Sequence, residues 1–386
     1  MPHNNEMKHS TSNFTLGILG GGQLGKMLLQ VTSRLSIKTN ILDPSDESPC
    51  KNMCSNFTVG NLMDFESVYN FGKECDLITY EIEHINVDAL EKLENEGIKV
   101  HPSSSTLRII QDKSRQKEFF VKNKIPTSKF TYYSSLEDLN YSELKYPCVW
   151  KKTKFGYDGY GVKILNSKED LNDLPDTQFI IEDMVPFKKE LATTIARNES
   201  GDIEIFPVVE MMFNETSNQV EFVICPAQIS SEINEKAKEI ALKVSESFKQ
   251  VGLMAVEMFL TKDDEILVNE VAPRPHNSAH YSIEGCINSQ FDQHINSILN
   301  LPLGCSKSNV YAIMANLVGD NGYHGEVLYD GVEDAMKIDN VKVHIYGKKQ
   351  TKPNRKMGHI TVLDTNLKEG LKKAQTVKKL IQIKSK

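Results

Sequence analysis

Two carboxylates define the first chemistry open to this 386-residue chain. Met254-Ala255-Val256-Glu257-Met258-Phe259 and Leu267-Val268-Asn269-Glu270-Val271 read as apolar strands flanking the turn Lys262-Asp263-Asp264-Glu265. A two-residue loop at Asp263-Asp264 puts Glu257 directly opposite Glu270, with Cβ atoms roughly 4.5–5.5 Å apart. Facing carboxylates repel unless a cation or a proton lies between them. A hard, oxygen-seeking ion such as Mg²⁺, shared with nucleotide phosphates, resolves the conflict. The plain alternative is two solvated acids on an open sheet face.

A second group is Lys151-Lys152-Thr153-Lys154-Phe155-Gly156-Tyr157-Asp158-Gly159-Tyr160-Gly161, which follows a strand at 147–151. Its glycines let the backbone close over phosphates, and its lysines supply charge. No GK[ST] ends the run, so it is not a Walker loop; an exposed hairpin with a basic rim is the competing reading. In Pro273-Arg274-Pro275-His276-Asn277-Ser278-Ala279-His280, the two histidines have a zinc-like spacing, but the prolines and the missing HExxH glutamate argue against zinc. Arg274, His276 and Asn277 read instead as ligand contacts on a rigid turn. Apolar strands at 341–346 and 359–363 bracket a basic loop, which reads either as a solvated face or as a device that aims Lys348 and Arg355 at a phosphate. Near the start, Gly20-Gly21-Gly22-Gln23-Leu24-Gly25 fits GxGxxG between strand and helix, with Asp43 ending the next strand. That turn suits a dinucleotide, the phosphate of a smaller ligand, or close strand–helix packing; the motif alone does not choose.

The elements that must position these groups fall into three blocks. A polar tail, 1–13, reads as disordered. Residues 14–103 alternate strand and helix, with strands at 15–19, 39–43, 76–80 and 98–100 and a helix at 87–95, which predicts a parallel α/β domain. Residues 104–300 open with a basic helix at 105–124. Strands follow at 179–182, 191–196, 203–208, 220–225, 254–260 and 265–271, with an amphipathic helix at 233–251, the pattern of an α+β domain on antiparallel sheet. Residues 301–386 read as a smaller β-rich domain ending in a basic helix. With 25% charged residues and a net charge of −7, the chain is expected to be globular and not held to nucleic acid by overall charge. The longest apolar stretch, 251–260, is broken by Glu257 and is too short to span a membrane. The N-terminus lacks the apolar core of a secretory signal. Seven scattered cysteines fit reduced thiols in the cytoplasm.

In this order, the motifs resemble the ATP-grasp carboxylate–amine ligases and, among them, the family of 5-(carboxyamino)imidazole ribonucleotide synthases. The telling strings are GGGQLG, TYEIEHI, GYDGYG, VEMF and VNEVAPRPHNSAHYSIEG, SQFDQH and RKMGH, spread over 16–363. The resemblance implies a Rossmann-like N-terminal domain, a central ATP-grasp domain and a small C-terminal domain. It also implies ATP- and bicarbonate-dependent carboxylation of aminoimidazole ribonucleotide in purine biosynthesis, by a cytoplasmic homodimer that uses Mg²⁺ or Mn²⁺. Carried across by motif, Glu257 and Glu270 would hold the metal, with Asn269 beside the phosphates. Lys113, Lys151, Gly156, Tyr157, Gly159 and Gly161 would contact ATP, Glu182-Asp183-Met184-Val185 would form the adenine linker, and Glu190 would accept the ribose hydroxyls. Gly22, Gln23, Tyr157 and Asp158 would meet the ribonucleotide, Lys348 and Arg355 its phosphate. Arg274, His276 and Asn277 would line the bicarbonate site.

The chain departs from the family pattern in places. GGYDGKGQ is FGYDGYGV here and HNSGH is HNSAH, Lys113 replaces an arginine and its planar fork, and Thr216 falls roughly where a nucleotide-side histidine is usual. The altered loop implies weaker closure over phosphate. Competing readings are a formate-dependent glycinamide ribonucleotide transformylase, an NAD-dependent dehydrogenase, and a silent nucleotide-binding module.

Overall fold

The computed structural model describes residues 13–140, 142–154, 156, 161–214 and 219–386. The first unit alternates β1 (Thr15–Leu19), α1 (Gln23–Arg34), β2 (Lys38–Asp43), β3 (Asn56–Val59), α2 (Phe65–Gly72), β4 (Leu77–Tyr80), α3 (Val87–Asn95) and β5 (Lys99–Val100). Its five strands are parallel in the order β3-β2-β1-β4-β5. β1 and β4 are buried along their whole length, as continuous apolar strands in a parallel sheet should be. The edge strand β3 is largely exposed and reads NFTV, too short and too polar to stand out as a strand.

The basic helix expected over 105–124 is two helices, α4 (Ser104–Ile110) and α5 (Lys113–Lys122). Asp112 breaks the run. It is extended at φ −128°, ψ 110°, and its carboxylate accepts from the amides of Ser114 and Arg115 to cap α5. The break starts a helix at Lys113, whose amide donates to the Thr153 carbonyl beside the glycine loop.

Two sheets follow. The smaller contains β6 (Phe130–Tyr133), β7 (Cys148–Lys152), β8 (Val162–Leu165) and β9 (Phe179–Asp183) in the antiparallel order β6-β9-β7-β8. The larger begins with β10 (Phe187–Arg197), β11 (Ile203–Ile205), β12 (Val209–Phe213) and β13 (Val220–Cys225), passes through α6 (Ser231–Phe248), and continues with β14 (Gly252–Thr261) and β15 (Ile266–Ala272). α6 is capped by Ser230 and ends at Phe248, where Lys249 turns left-handed, three residues short of the expected 251. The short α7 (Ser282–Gly285) and α8 (Gln290–Ile298) lead into the last part: β16 (Tyr311–Val318), β17 (Gly325–Asp330), α9 (Val332–Met336), β18 (Val341–Ile345), β19 (Gln350–Thr351), β20 (Lys356–Asp364), α10 (Leu367–Leu380) and β21 (Gln382–Ser385).

The C-terminal strands are mostly not a sheet of their own. β16, β20 and β18 extend the large sheet, ordered β15-β14-β10-β12-β13-β16-β20-β18, and only β19-β17-β21 stand apart. One apolar core also crosses all three blocks. Leu16, Ile18, Leu24, Met27 and Leu28 of the first unit pack with Phe291, Ile295 and Ile298 of α8 and with Tyr346 beyond β18. The site described next is therefore built between elements that share a core. Among the described residues, no helix is long and apolar enough to cross a membrane, and all seven cysteines are free.

Candidate active site

Glu257 does face Glu270, but not by way of a two-residue loop. Leu260 pairs with Ile266, and the Thr261 amide donates to the Glu265 carbonyl, so the loop is Lys262-Asp263-Asp264, with Asp264 at φ +61°. Continued without interruption, that register would miss the pairing by one residue. A β-bulge between Glu257 and Met258 restores it: Met258 opposes Val268, Glu257 opposes Glu270, and Asn269 is the extra residue. The bulge also breaks the alternation of faces, so Asn269 and Glu270 are both half-buried between the buried Val268 and Val271. Two neighbouring residues of one strand thus serve the same cleft.

Glu190 lies on that face as well, two residues from the Ala192 that opposes Glu257. Burial pushes its pKa up to about 7, helped by the nearby charge of Glu270. The facing pair splits. The Lys113 ammonium, ion-paired and hydrogen-bonded to Glu270, holds that carboxyl well below the usual range. Burial, then repulsion from Glu270 and Glu190, pushes Glu257 up, with His276 Nε2 3.4 Å from its Oε1. Protein groups thus carry part of the charge of two opposed carboxylates, whose hard oxygens fit a divalent ion that brings its own phosphate ligands. Among the described residues no cluster of three or more His, Cys, Asp or Glu is placed to hold a metal by itself. The zinc spacing is spent elsewhere: His280 stacks on His359 at 4.8 Å and bonds Gln290 through Nδ1.

Across the cleft, Lys151 of β7 ties the small sheet to the large one. Its Nζ lies 2.9 Å from Asn269 Oδ1 and 3.1 Å from Glu182 Oε1. Glu182 is the last buried residue of β9, and its carboxylate faces inward between Lys151 and Lys117. Burial works against its charge, but the two lysines outweigh it and keep its pKa low. Of the rest of the expected linker, Asp183 ends β9, and Met184 and Val185 lie in the crossing from β9 to β10, between the two sheets. Gly161 is at φ +79°, where its carbonyl accepts from the Lys152 amide; Gly156 lies earlier in the same loop. Tyr157, Asp158 and Gly159, like Thr216 and the tail 1–12, lie outside the described residues.

The first glycine turn is bound by the protein's own acids. The Gly21 amide donates to Asp43 Oδ2 at 2.7 Å and the Gly22 amide to Glu81 Oε1 at 2.9 Å. A dinucleotide pyrophosphate needs such amides free, and Asp43 is held to the turn and to the Ser45 amide rather than facing a ribose. The NAD reading therefore loses its donors. A Cβ on Gly22 would come within 2.8 Å of Glu81 Oε1, so any side chain there would displace the Glu81 carboxylate from the turn. Burial raises the pKa of Glu81, against the lowering effects of the Gly22 amide, Arg274 and Lys348. The structure thus gathers Gly22, Arg274 and Lys348 around Glu81, with Gln23 opening α1 alongside.

Arg274 is paired with Glu83 at 3.0 Å, while its Nε and the Asn277 Nδ2 are buried donors without a hydrogen-bond partner among the described residues. Such donors suit an anion. Lys348 reaches this region because Lys26 Nζ binds the Ile345 carbonyl and draws the C-terminal loop onto α1. Lys348 itself donates to the Lys356 carbonyl over the Tyr346 ring. Arg355, on the same loop, turns its guanidinium to the Gln350 carbonyl. Sequence reasoning passed over Glu81, Glu83 and Lys117. The two acids stand in the quoted string TYEIEHI, where acids directly after an apolar strand were the available signal. Lys117 gave none beyond a basic helix face.

Comparison with known proteins follows this geometry. The ribonucleotide synthetase preATP-grasp domain matches residues 14–111, the ATP-grasp domain 118–291, and the phosphoribosylaminoimidazole carboxylase C-terminal domain 312–373. The chain is 36% identical to N5-carboxyaminoimidazole ribonucleotide synthase of Bacillus subtilis, over 90% of this chain and 91% of that one. It is 39% identical to the chloroplastic phosphoribosylaminoimidazole carboxylase of Vigna aconitifolia over 91% of its length, but spans only 64% of that longer protein. The crystal structure of N5-carboxyaminoimidazole ribonucleotide synthetase from Thermotoga maritima superposes with a TM-score of 0.89 at 43% identity, covering 97% of this chain and 100% of that one. The Aspergillus clavatus synthase, solved with ADP and 5-aminoimidazole ribonucleotide, superposes at 0.86 and 34% identity, covering 95% and 98%.

Proposed function

Because the chain belongs to the N5-carboxyaminoimidazole ribonucleotide synthase family, we propose that it carboxylates the amine of 5-aminoimidazole ribonucleotide in purine biosynthesis, using ATP and bicarbonate and releasing ADP and phosphate. The observation that supports this most is the bulged hairpin, which offers Glu257, Asn269 and Glu270 to a cleft closed on its other side by Lys151. In the reaction, a bicarbonate oxygen takes the γ-phosphoryl group and ADP leaves. The amine nitrogen then attacks the carbonyl carbon of the resulting carboxyphosphate, phosphate departs, and the nitrogen loses a proton.

Lys113 and Lys151 supply fixed positive charge along the phosphates. Glu257 and Glu270 would hold Mg²⁺, or Mn²⁺ in its place, whose chemistry is to neutralise charge on the transferring group. Glu190 takes the ribose hydroxyls, and 182–185 the adenine. The unpartnered donors of Arg274 and Asn277, with His276, receive bicarbonate. Gly22, Gln23 and Lys348 hold the ribonucleotide near Glu81, Arg355 swings from Gln350 to its phosphate, and Asp158 takes the amine proton. The protein works on these small molecules as a cytoplasmic homodimer, with no part for nucleic acid or membrane.

The direct test is ADP release from Mg-ATP, with and without the ribonucleotide, in bicarbonate and in carbonate-free buffer. Strong stimulation by the ribonucleotide that disappears without bicarbonate is the expected result. Stimulation by formate with glycinamide ribonucleotide would instead place the chain with the transformylases. Nucleotide binding without turnover would make it a silent module.

A further inference from the structure

Lys117 is among the least exposed charged side chains in the described protein, at 2%, yet it is neither in the cleft nor assigned a part in the reaction above. It projects from α5 into the seam between the two sheets. Its Nζ donates to Thr127 Oγ1 at 2.7 Å and Ser128 Oγ at 2.9 Å and lies 3.2 Å from Glu182 Oε2. Its three donors are thus all engaged. Ser128 Oγ donates to the same Glu182 oxygen at 2.7 Å. Thr127 Oγ1 in turn donates to the Val268 carbonyl, one residue before the bulged Asn269. The other Glu182 oxygen faces Lys151. A single buried ammonium therefore joins α5, β9 through Glu182, and the carboxylate hairpin.

The charge count gives this arrangement a purpose. Glu182 sits between two lysines, and a buried carboxylate binds an unshared ammonium tightly. Alone with Lys151, it would compete with any phosphate for that side chain. With Lys117 permanently opposite its other oxygen, Glu182 is already compensated, and Lys151 can turn to a ligand without leaving a bare buried charge. Burial pulls the Lys117 pKa down to about 8, against the attraction of Glu182, so the pair still carries its charge at neutral pH.

We propose that Lys117 is a positioning residue that neutralises Glu182 so that Lys151 is presented between Glu182 and Asn269 and released to the nucleotide phosphates. This rests on the phosphate role of Lys151 given above. The experiment measures ADP affinity by calorimetry on the full chain for Lys117→Met, Lys151→Met, and the charge-balanced double variant Lys117→Met with Glu182→Gln. Adenosine affinity is measured alongside. Lys117→Met should weaken ADP about tenfold or more while changing adenosine less than about twofold, because only the phosphate contact is lost. Because Glu182 also stands in the adenine linker, the double variant is read by its ratio of ADP to adenosine affinity, which cancels any loss at the base; with both buried charges gone, that ratio should return close to the parent's.

Equal loss for ADP and adenosine, or a double variant whose ADP-to-adenosine ratio is no better than that of Lys117→Met, would make Lys117 a structural residue and overturn the inference. Should Lys117→Met fail to fold, a folded double variant with an ADP-to-adenosine ratio near the parent's still supports it, and failure of both overturns it. Weak ADP binding by Lys151→Met beside parent-like binding by Lys117→Met defeats this inference alone. Parent-like binding by Lys151→Met defeats the lysine's phosphate role and this inference with it.

Discussion

Glu190 and the facing pair differ in what titrates them, and that difference is measurable. Burial has raised Glu190 to about 7, so from the ordinary carboxylate range up to about 7 the folded chain keeps a proton that the unfolded chain has lost. Raising the pH through that window removes stability, and a ligand that needs the carboxylate ionised must expel the proton. Adenosine, with its ribose hydroxyls on Glu190 and no phosphate of its own to titrate, is expected to release close to one proton at about pH 6. Calorimetry in two buffers of different ionisation enthalpy reads that number directly, and Glu190→Gln should bring it near zero. An unchanged proton count in Glu190→Gln would remove the ribose assignment. Glu270→Gln keeps the shape of the site but halves its charge, so it should abolish Mg²⁺-dependent turnover with the melting temperature near the parent's; near-normal activity would remove the metal role. The types of these residues were legible in the sequence because acids on apolar strands are anomalous. Their unequal pKa values were not, since those depend on Lys113, Glu190 and His276, which reach the pair only after folding.

Among the elements, the β14–β15 hairpin shows how a correct pairing can be reached by a wrong path. Alternation predicts two strands, and the acidic turn predicts a tight loop. The three-residue loop and the bulge at Asn269 offset each other, so Glu257 meets Glu270 either way. What the simple register could not reveal is that Asn269 joins Glu270 on the cleft face. The break between α4 and α5 was hidden for a related reason: the apolar and basic pattern runs on through it, and only the Asp112 cap marks it. Helix ends make a prediction of their own. Lys249 terminates the 18-residue α6 at φ 51°, an exposed side chain in the left-handed conformation where glycine carries no Cβ penalty. Lys249→Gly should raise stability by about 0.5–1 kcal/mol, visible as a higher thermal midpoint, with turnover unaffected. A lower midpoint would mean that the Lys249 side chain has a compensating contact.

At the level of the whole molecule, the sequence divides readily into three blocks, while the folded chain joins them. Composition and the order of motifs give the blocks, but the continuation of the large sheet through β16, β20 and β18 depends on long-range pairing that no local pattern records. The shared core has a functional reason. Lys348 belongs to the last block, Glu81 and Gly22 to the first, and Arg274 to the middle, so their convergence requires the three to hold a fixed relation. Phe291, 2% exposed on α8, lies where the first and middle blocks share that core. Replacing it with alanine should cost about 3–5 kcal/mol. If the blocks unfold as one unit, hydrogen exchange in Phe291→Ala should quicken together in the slow amides of β1 and of β14, under conditions where global unfolding governs both. Thermal unfolding of the variant should remain a single transition. Faster exchange in β1 alone, or a second transition, would show that the first block can detach. The ribonucleotide site would then be assembled by docking of domains, and its affinity would depend on how often the blocks come together.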